Sequence, residues 1–303
     1  MEFHGLKTDL YELTMAQIYL ERGKTGRAVF SLYARKLPEV RNFLVVGGVN
    51  RLLEELENFR FSDGDIAYLR SLGLFKERFL EWLADFSFKG SVYAIPEGRI
   101  VFQEEPIVQV EADLPSAQIL ETFVINRVHL GTVLASKAAR IYAAARGKLL
   151  VDFGCRRAHG FEAANQAAYA ALVCGWNATS NLEAGRLYGL PVSGTMAHSF
   201  VMVFGEEEAF KTFYEFYPDR AVYLIDTYDV LRAAELVVKL AKEGYKPVGV
   251  RIDSGDIPSL VKKVRQLLDQ NGLTDVKIIV SGGVDEYSIE EWRNLPIDGF
   301  GVG

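Results

Sequence analysis

One of the four histidines in this 303-residue chain, His198, stands where a side chain could do chemistry. It lies in the segment Gly194-Thr195-Met196-Ala197-His198-Ser199-Phe200, just after a short apolar stretch that ends at Val192. Gly194 and Ala197 leave room for the backbone and the imidazole to approach a ligand closely. A neutral imidazole can act as a nucleophile or as a hydrogen-bonding base. The alternative is that this segment caps a helix and that the imidazole packs against it.

A second candidate segment is Arg251-Ile252-Asp253-Ser254-Gly255-Asp256, at the end of a predicted strand. Carboxylates bind Mg²⁺ and a guanidinium neutralises phosphate charge, so this set suits a polyphosphate that carries a magnesium ion. The alternative is that Asp256 caps the helix predicted from Pro258. Capping explains Asp256 but gives Arg251 and Asp253 no role, so the segment predicts a binding site.

Two further kinds of segment follow predicted strands. In Asp152-Phe153-Gly154-Cys155-Arg156-Arg157, Phe153 could stack on a flat ring and an arginine could pair with a carboxylate or phosphate. The structural alternative is that Phe153 packs in the core and Arg157 is a surface charge. The turns Ser281-Gly282-Gly283 and Gly299-Phe300-Gly301-Val302-Gly303 offer successive backbone N–H groups that can bind a phosphate.

The second half of the chain must position these segments. Short apolar strands alternate there with helices, as in strand 248–252, helix 258–270 and strand 277–280. This alternation predicts βα units and a parallel sheet. A doubly wound sheet and a barrel share the pattern. Because polar residues or glycines follow so many of the strands, a barrel with its site on that rim is favoured.

The N-terminal part shows a different pattern of predicted helices and strands. Thr8 or Asp9 can cap a helix, with Glu12 near the capping-box position. Further along, short strands broken by prolines and a glycine predict an antiparallel meander. These strands are expected at 91–95, 99–102 and 107–112.

The two patterns change over near Pro115, which precedes one long helix predicted over 117–145. We therefore expect an N-terminal α/β domain over residues 1–114 and an α/β barrel over residues 115–303. The chain stops within a rim loop of that barrel, so the barrel is expected to be C-terminally truncated.

Composition excludes several classes of protein. With 49% hydrophobic and 24% charged residues, the chain can bury a sizeable core. A net charge of -6 without basic clusters argues against nucleic-acid binding. Two cysteines give no disulfide framework, and Cys155 with His159 supplies only two metal ligands. No apolar run approaches the ~20 residues of a membrane span, and no signal peptide is evident. These features predict a soluble, cytoplasmic protein without a metal site of its own.

Taken in order, these segments resemble nicotinate phosphoribosyltransferases, and the resemblance covers essentially the whole chain. It implies the type II phosphoribosyltransferase fold, in which an α/β N-terminal domain precedes an irregular, incomplete TIM-like α/β barrel. It also implies that nicotinate and 5-phosphoribosyl 1-diphosphate are joined into nicotinate mononucleotide and diphosphate, in NAD biosynthesis and coupled to ATP hydrolysis. The matching segments are Thr8-Asp9-Leu10-Tyr11-Glu12-Leu13-Thr14-Met15, Asp152-Phe153-Gly154-Cys155-Arg156-Arg157-Ala158, the segment around His198, the segment around Asp253, and the Gly-rich turns.

The resemblance assigns the substrate contacts residue by residue. Tyr11 would stack on nicotinate from a partner subunit, with Phe153 on the other face, in a homodimer with shared active sites. Thr195 and Arg251 would contact the substrate carboxylate or its surroundings, and Arg156 would help to hold the phosphoribosyl ligand.

The resemblance also implies the groups that handle phosphate. His198 would be phosphorylated by ATP, Asp253 would lie near the reacting ring and ribose, and Mg²⁺ would accompany the diphosphate. The phosphate-binding residues would be Gly282, Gly283, Gly301 and Gly303, with Lys137 and Arg140 of the long helix as further contacts.

Three alternatives remain open from the residues. A nicotinamide phosphoribosyltransferase would carry an acid within 177–181, whereas Ser180 is the matching position and its neutral hydroxyl tolerates a carboxylate. A quinolinate phosphoribosyltransferase would lack the histidine segment. The third alternative is a non-catalytic, ligand-binding fragment of the same fold.

Overall fold

The computed structural model describes residues 4–303. Contacts divide the chain into two compact units, one ending at Ser136 and the other running from Lys137 to Gly303. This division falls later than the boundary predicted at Pro115. The physical reason is burial, because Leu120, Phe123 and Val128 belong to the hydrophobic core of the first unit.

The first unit consists of helices and short strands around a core rich in phenylalanine. Local signals set several of its helix starts. Ser62 and Asp65, for example, form a capping box in which each side chain accepts the other's backbone N–H. The elements are α1 (Leu10–Glu21), β1 (Arg27–Tyr33), β2 (Leu44–Val45), α2 (Val49–Glu57), α3 (Asp63–Ser71), α4 (Glu77–Ala84), β3 (Ser91–Ala94), β4 (Ile100–Val101), β5 (Pro106–Asp113), α5 (Leu114–Ile119) and α6 (Glu121–Ala145), the last crossing the division.

The capping predicted at α1 is wrong in part. Asp9 is the N-cap residue, but its side chain makes no capping hydrogen bond. Glu12 is fully buried, and its carboxylate accepts hydrogen bonds from the Thr8 hydroxyl and from the backbone and hydroxyl of Thr122. Burial raises the pKa of Glu12. Glu12 therefore ties α1 to α6.

The predicted meander and the predicted long helix are also corrected. Strand β5 pairs antiparallel with both β1 and β3, while β4 pairs with β2. Backbone hydrogen bonds from Val46 to Gly98 and Arg99 hold the start of β4 against β2. Strand β4 therefore does not lie beside β3. The helix predicted over 117–145 is two helices, α5 and α6, separated at Leu120.

The second unit alternates strands with helices, as predicted. Turns of 3₁₀ helix occur at Cys155–Arg157 and Pro218–Arg220. The remaining elements are β6 (Leu149–Asp152), α7 (Phe161–Val173), β7 (Ala178–Thr179), α8 (Leu182–Tyr188), α9 (His198–Phe204), α10 (Glu206–Phe216), β8 (Val222–Leu224), α11 (Val230–Lys242), β9 (Gly249–Ile252), α12 (Ile257–Gln270), β10 (Lys277–Val280), α13 (Glu286–Glu291) and β11 (Gly299–Val302).

The strand order identifies the architecture. The parallel sheet runs β7-β6-β11-β10-β9-β8, so the first strand of the unit pairs with the last. Val192 extends the series through an isolated parallel bridge to Thr179. Among residues 4–303, no strand pairing joins Val192 to β8. The order is that of a βα barrel wrapped into a ring with one opening, which confirms the predicted irregular, incomplete barrel.

No helix in the described part of the chain combines the length and the apolarity that crossing a membrane requires.

Candidate active site

A cavity of about 890 Å³ lies at the carboxyl ends of the parallel strands in the second unit. Its walls come from the turns after β6, β7, β9, β10 and β11 and from the loop before α9. Parallel strands in a barrel end at one rim, so residues far apart in sequence meet there. The predicted residues that line it are Phe153, Arg156, Ser180, Thr195, Arg251, Asp253, Gly282, Gly283, Gly301 and Gly303.

The Phe153 ring forms one wall of this cavity and depends on a glycine. The Phe153 N–H donates to the Val302 carbonyl at 2.7 Å, which holds its backbone beside β11. A Cβ added at Gly301 would lie 2.3 Å from the Phe153 ring. Gly301 is therefore needed for close packing under this ring, in addition to the phosphate role predicted for it.

Replacing Gly301 by alanine should displace the Phe153 ring. Overpacking of this kind costs about 1–3 kcal/mol, and a shifted ring presents a different face to a flat ligand. We expect Gly301→Ala to lower the melting temperature and to weaken nicotinate binding in calorimetric titration. Gly194→Ala is the stability control, because a Cβ there meets no atom within 4 Å. Equal melting temperatures for the two variants would contradict this role of Gly301.

Arg251 joins three parts of the rim. One of its terminal nitrogens donates to Asp253 Oδ1 at 2.8 Å and to the Ser281 hydroxyl at 3.0 Å, and the other donates to the Met196 carbonyl at 2.8 Å. Burial lowers the pKa of Arg251, but a guanidinium stays charged in proteins. Its Nε has no hydrogen-bond partner among the described residues. Arg251 thus fixes the loop before His198 against the ends of β9 and β10.

Asp253 stands between the cavity and the histidine. Its Oδ1 accepts from Arg251 and Ser281, and its backbone N–H donates to Asp226 Oδ2 at 3.1 Å. The backbone of Gly282 packs directly against Asp253, since a Cβ at Gly282 would lie 2.0 Å from the Asp253 carbonyl oxygen. The φ angle of Gly282 is +81°. Only glycine fits there.

His198 is the first residue of α9, and both of its ring nitrogens face polar side chains. Nδ1 lies 3.2 Å from the Thr227 hydroxyl, and Nε2 lies 3.9 Å from Asp253 Oδ2. The imidazole is 42% exposed, so a ligand can reach it. The structural alternative is right that the segment begins a helix, but the imidazole is not packed away. Thr227 was not predicted from the sequence, where its only signal is its position directly after Asp226, two residues beyond the end of β8.

Lys137 and Arg140 are not among the residues that line the cavity. Lys137 forms an ion pair with Glu286, and Arg140 Nε lies 3.7 Å from the other oxygen of the same carboxylate. Glu286 is buried at the start of α13. The ion pairs give these two cations a structural role, and the phosphate contact stays a prediction.

Tyr11 belongs to the first unit, on α1. Its side chain is 47% exposed, and its hydroxyl lies 3.3 Å from Glu121 Oε1. Partial burial, together with the nearby carboxylates of Glu12 and Glu121, raises the pKa of Tyr11 to about 12, so the hydroxyl is neutral. An exposed aromatic ring is available for stacking, and its role as a partner's contribution stays a prediction.

The charge of the cavity favours an anionic ligand. Arg156, Arg157 and Arg251 line it together with one carboxylate, that of Asp253. The side chain at Ser180 is neutral. Phe161, an exposed aromatic residue at the start of α7, also lines the cavity and was not predicted from the sequence. A flat anion beside the Phe153 ring and a phosphate on the glycine turns are the ligands this set can hold.

The chain matches known protein families. Residues 6–129 match the family model for the nicotinate phosphoribosyltransferase N-terminal domain, and residues 149–294 match the nicotinate phosphoribosyltransferase family model. The chain is 49% identical to nicotinate phosphoribosyltransferase pncB2 of Mycobacterium tuberculosis, over 99% of this chain and 66% of that protein. It is 42% identical to the nicotinate phosphoribosyltransferase of Bacillus subtilis, over 99% of this chain and 62% of that protein. The chain thus spans somewhat less than two thirds of either relative.

A solved structure has a similar fold to this chain. Human nicotinic acid phosphoribosyltransferase superposes with a TM-score of 0.85 at 28% identity, covering 98% of this chain and 72% of that one.

Proposed function

The chain belongs to the nicotinate phosphoribosyltransferase family, and from this premise we propose that it joins nicotinate to 5-phosphoribosyl 1-diphosphate. The products would be nicotinate mononucleotide and diphosphate. The observation that carries the proposal is one cavity that combines the Phe153 ring, the buried Arg251 and the glycine turns at 282–283 and 301–303. An aromatic wall suits the pyridine ring, arginines suit its carboxylate, and backbone N–H groups suit the 5-phosphate.

The geometry supports a mechanism of positioning and charge neutralisation. The nicotinate ring nitrogen forms a bond to C1 of the ribose as the bond from C1 to the diphosphate oxygen breaks, and diphosphate leaves with the electron pair. The transition state resembles an oxocarbenium ion. The pyridine nitrogen attacks with its own lone pair and has no proton to lose, so the protein needs no general base there. Phe153 would orient the ring, and Arg156 would offset charge on the leaving group.

The donor set also fits a magnesium ion that arrives with the diphosphate. Asp253 presents carboxylate oxygens to the cavity, and Asp226 Oδ1 has no hydrogen-bond partner among the described residues. Within residues 4–303, no group of three or more His, Cys, Asp and Glu side chains could hold a metal on its own. Mg²⁺ typically binds through one or two carboxylates plus substrate phosphates, where it neutralises the charge on the leaving group.

We further propose that ATP is hydrolysed through phosphorylation of His198. The γ-phosphorus would form a bond to an imidazole nitrogen as its bond to the ADP oxygen breaks, and water would later release phosphate. The exposed imidazole, with Thr227 and Asp253 at its two nitrogens, supports this role.

Product analysis tests the proposed function. The purified protein receives 5-phosphoribosyl 1-diphosphate, Mg²⁺ and ATP, with nicotinate or nicotinamide offered separately. We expect nicotinate mononucleotide from the first mixture and little product from the second. Product from nicotinamide alone would support the nicotinamide branch, and binding of nicotinate without any product would support a non-catalytic fragment.

Discrimination between the two rings should depend on charge at Ser180. Ser180→Asp would place a carboxylate near the substrate carboxylate, and like charges at this range repel by a few kcal/mol. We expect kcat/KM for nicotinate to fall at least about tenfold more than kcat/KM for nicotinamide. Ser180→Asn, equal in size and neutral, is the matched control. Equal losses on both substrates in Ser180→Asp would exclude Ser180 from the ring site.

We also infer a homodimer in which Tyr11 reaches the partner's cavity, supported by the exposure of its ring on α1. Sedimentation that gives only monomers at assay concentration would exclude it. The cytoplasmic location stays a prediction.

A further inference from the structure

A buried pair, Asp152 and Thr179, lies directly behind the cavity. Asp152 is 5% exposed and Thr179 is 1% exposed. The Thr179 hydroxyl donates to Asp152 Oδ2 at 2.6 Å, and the Gly154 N–H donates to Asp152 Oδ1 at 2.8 Å. No ion pair to Asp152 occurs among the described residues, so these hydrogen bonds are what offsets the burial of its charge.

The pair fastens the two turns that carry the ring site. Asp152 ends β6, and its Oδ1 shapes the turn in which Phe153 lines the cavity. Thr179 ends β7, and Ser180 follows it into the same cavity. Both strands end at this point, and the backbone bonds that continue past them are single ones, from the Phe153 N–H to the Val302 carbonyl and from the Ser180 N–H to the Asp152 carbonyl. One carboxylate therefore holds both turns at once.

Ser180 is held on each side by the same network. Its N–H donates to the Asp152 carbonyl at 2.8 Å, and the Asn181 N–H donates to the Thr179 hydroxyl oxygen at 3.0 Å. Asn181 is itself buried and donates to Asn165 at 2.9 Å. The side chains of Asp152 and Thr179 thus add to the backbone bonds that place Phe153 and Ser180 on two sides of the cavity.

We propose that Asp152 and Thr179 are a positioning pair that sets the width of the ring site and thereby its affinity for nicotinate and its choice between ring substituents. The inference rests on the proposed function, since it deepens the description of that site. Neither residue is among those that line the cavity. The hydroxyl of Thr179 matters because a carboxylate left without this donor, buried beside two turns, moves towards another partner and carries the turns with it.

The test compares Thr179→Val, which keeps the shape and removes the hydroxyl, with Thr179→Ser, which keeps the hydroxyl. We expect Thr179→Val to raise KM for nicotinate about tenfold while KM for 5-phosphoribosyl 1-diphosphate changes less than about twofold. The preference for nicotinate over nicotinamide should fall as well, and Thr179→Ser should restore both values. Thr132→Val, a buried threonine of the first unit with two bonds to Gly47, is the matched control for lost stability.

Three results would contradict the positioning role of the pair. The first is an equal rise of the KM for nicotinate and the KM for 5-phosphoribosyl 1-diphosphate in Thr179→Val, and the second is no change in either KM. The third is a Thr179→Ser variant as impaired as Thr179→Val. If Thr179→Val does not fold, Asp152→Asn serves instead, because Gly154 and Thr179 donate to different carboxylate oxygens and the amide places an oxygen at only one of those two positions. If the unaltered protein forms no nucleotide, the proposed function fails, and calorimetric titration with nicotinate still tests the pair through a weaker affinity in the variant.

Discussion

His198→Asn is expected to abolish ATP hydrolysis while the phosphoribosyl transfer persists. The imidazole contributes a nucleophilic nitrogen that asparagine lacks, and loss of a covalent nucleophile lowers a rate by about a thousandfold or more. Asparagine keeps a polar group near Thr227, so the loop before α9 should keep its fold. The transfer to nicotinate needs positioning and charge, and it should continue without stimulation by ATP. Hydrolysis of γ-labelled ATP and synthesis of nicotinate mononucleotide are measured in parallel.

The covalent intermediate gives this prediction a second, direct readout. The unaltered protein should carry an acid-labile, base-stable phosphoryl group after incubation with γ-labelled ATP, and His198→Asn should carry none. His129→Asn, which changes an exposed histidine of the first unit, is the control. If His129→Asn and His198→Asn hydrolyse ATP equally well, the histidine is structural and simply begins α9.

The outline of the second unit was predictable because its strands are short, apolar and separated by helices of clear periodicity. The cluster of polar residues and glycines after those strands was predictable for the same reason, since parallel strands end at one rim. Two elements of this unit, β7 and α9, were not predicted from the sequence. Strand β7 has only two residues, Ala178–Thr179, and its pairing depends on β6 rather than on its own sequence. Helix α9 directly follows a segment in which Gly194 and Thr195 favour a loop, and its seven residues show no clear helical signal of their own.

Contacts distant in sequence explain the remaining differences. Lys137 and Arg140 look like free cations in the sequence, but Glu286, far along the chain, pairs with both. The role of Glu12 likewise depends on Thr122, which α6 brings to it. In both cases the sequence shows a charged residue without showing what will neutralise or solvate it. The pairing of Asp152 with Thr179 was unpredictable for the same reason.

Arg251 illustrates how one residue can serve both the fold and the site. Its guanidinium is 11% exposed and binds a carboxylate, a hydroxyl and a carbonyl that come from different rim segments. Removal of one member of a buried, hydrogen-bonded charge pair costs about 2–5 kcal/mol, since the other member is left uncompensated. Here the uncompensated group would be Asp253, which faces both His198 and the cavity.

Arg251→Met should therefore reduce kcat/KM for nicotinate by about 10²- to 10³-fold and also lower the melting temperature. Methionine keeps an unbranched stem while removing the charge and all the donors. Arg251→Lys should recover part of the stability and little of the activity, because an ammonium cannot reach Met196 and Ser281 in the planar geometry of a guanidinium.

The matched control is Arg265→Met. Arg265 is 16% exposed, pairs with Asp269, and donates to the carbonyls of Val276 and Leu273 at a distance from the cavity. Arg265→Met should lose comparable stability and keep its kcat/KM. Equal kinetic losses in the two methionine variants would mean that Arg251 acts only through stability, and its role in the site would have to be abandoned.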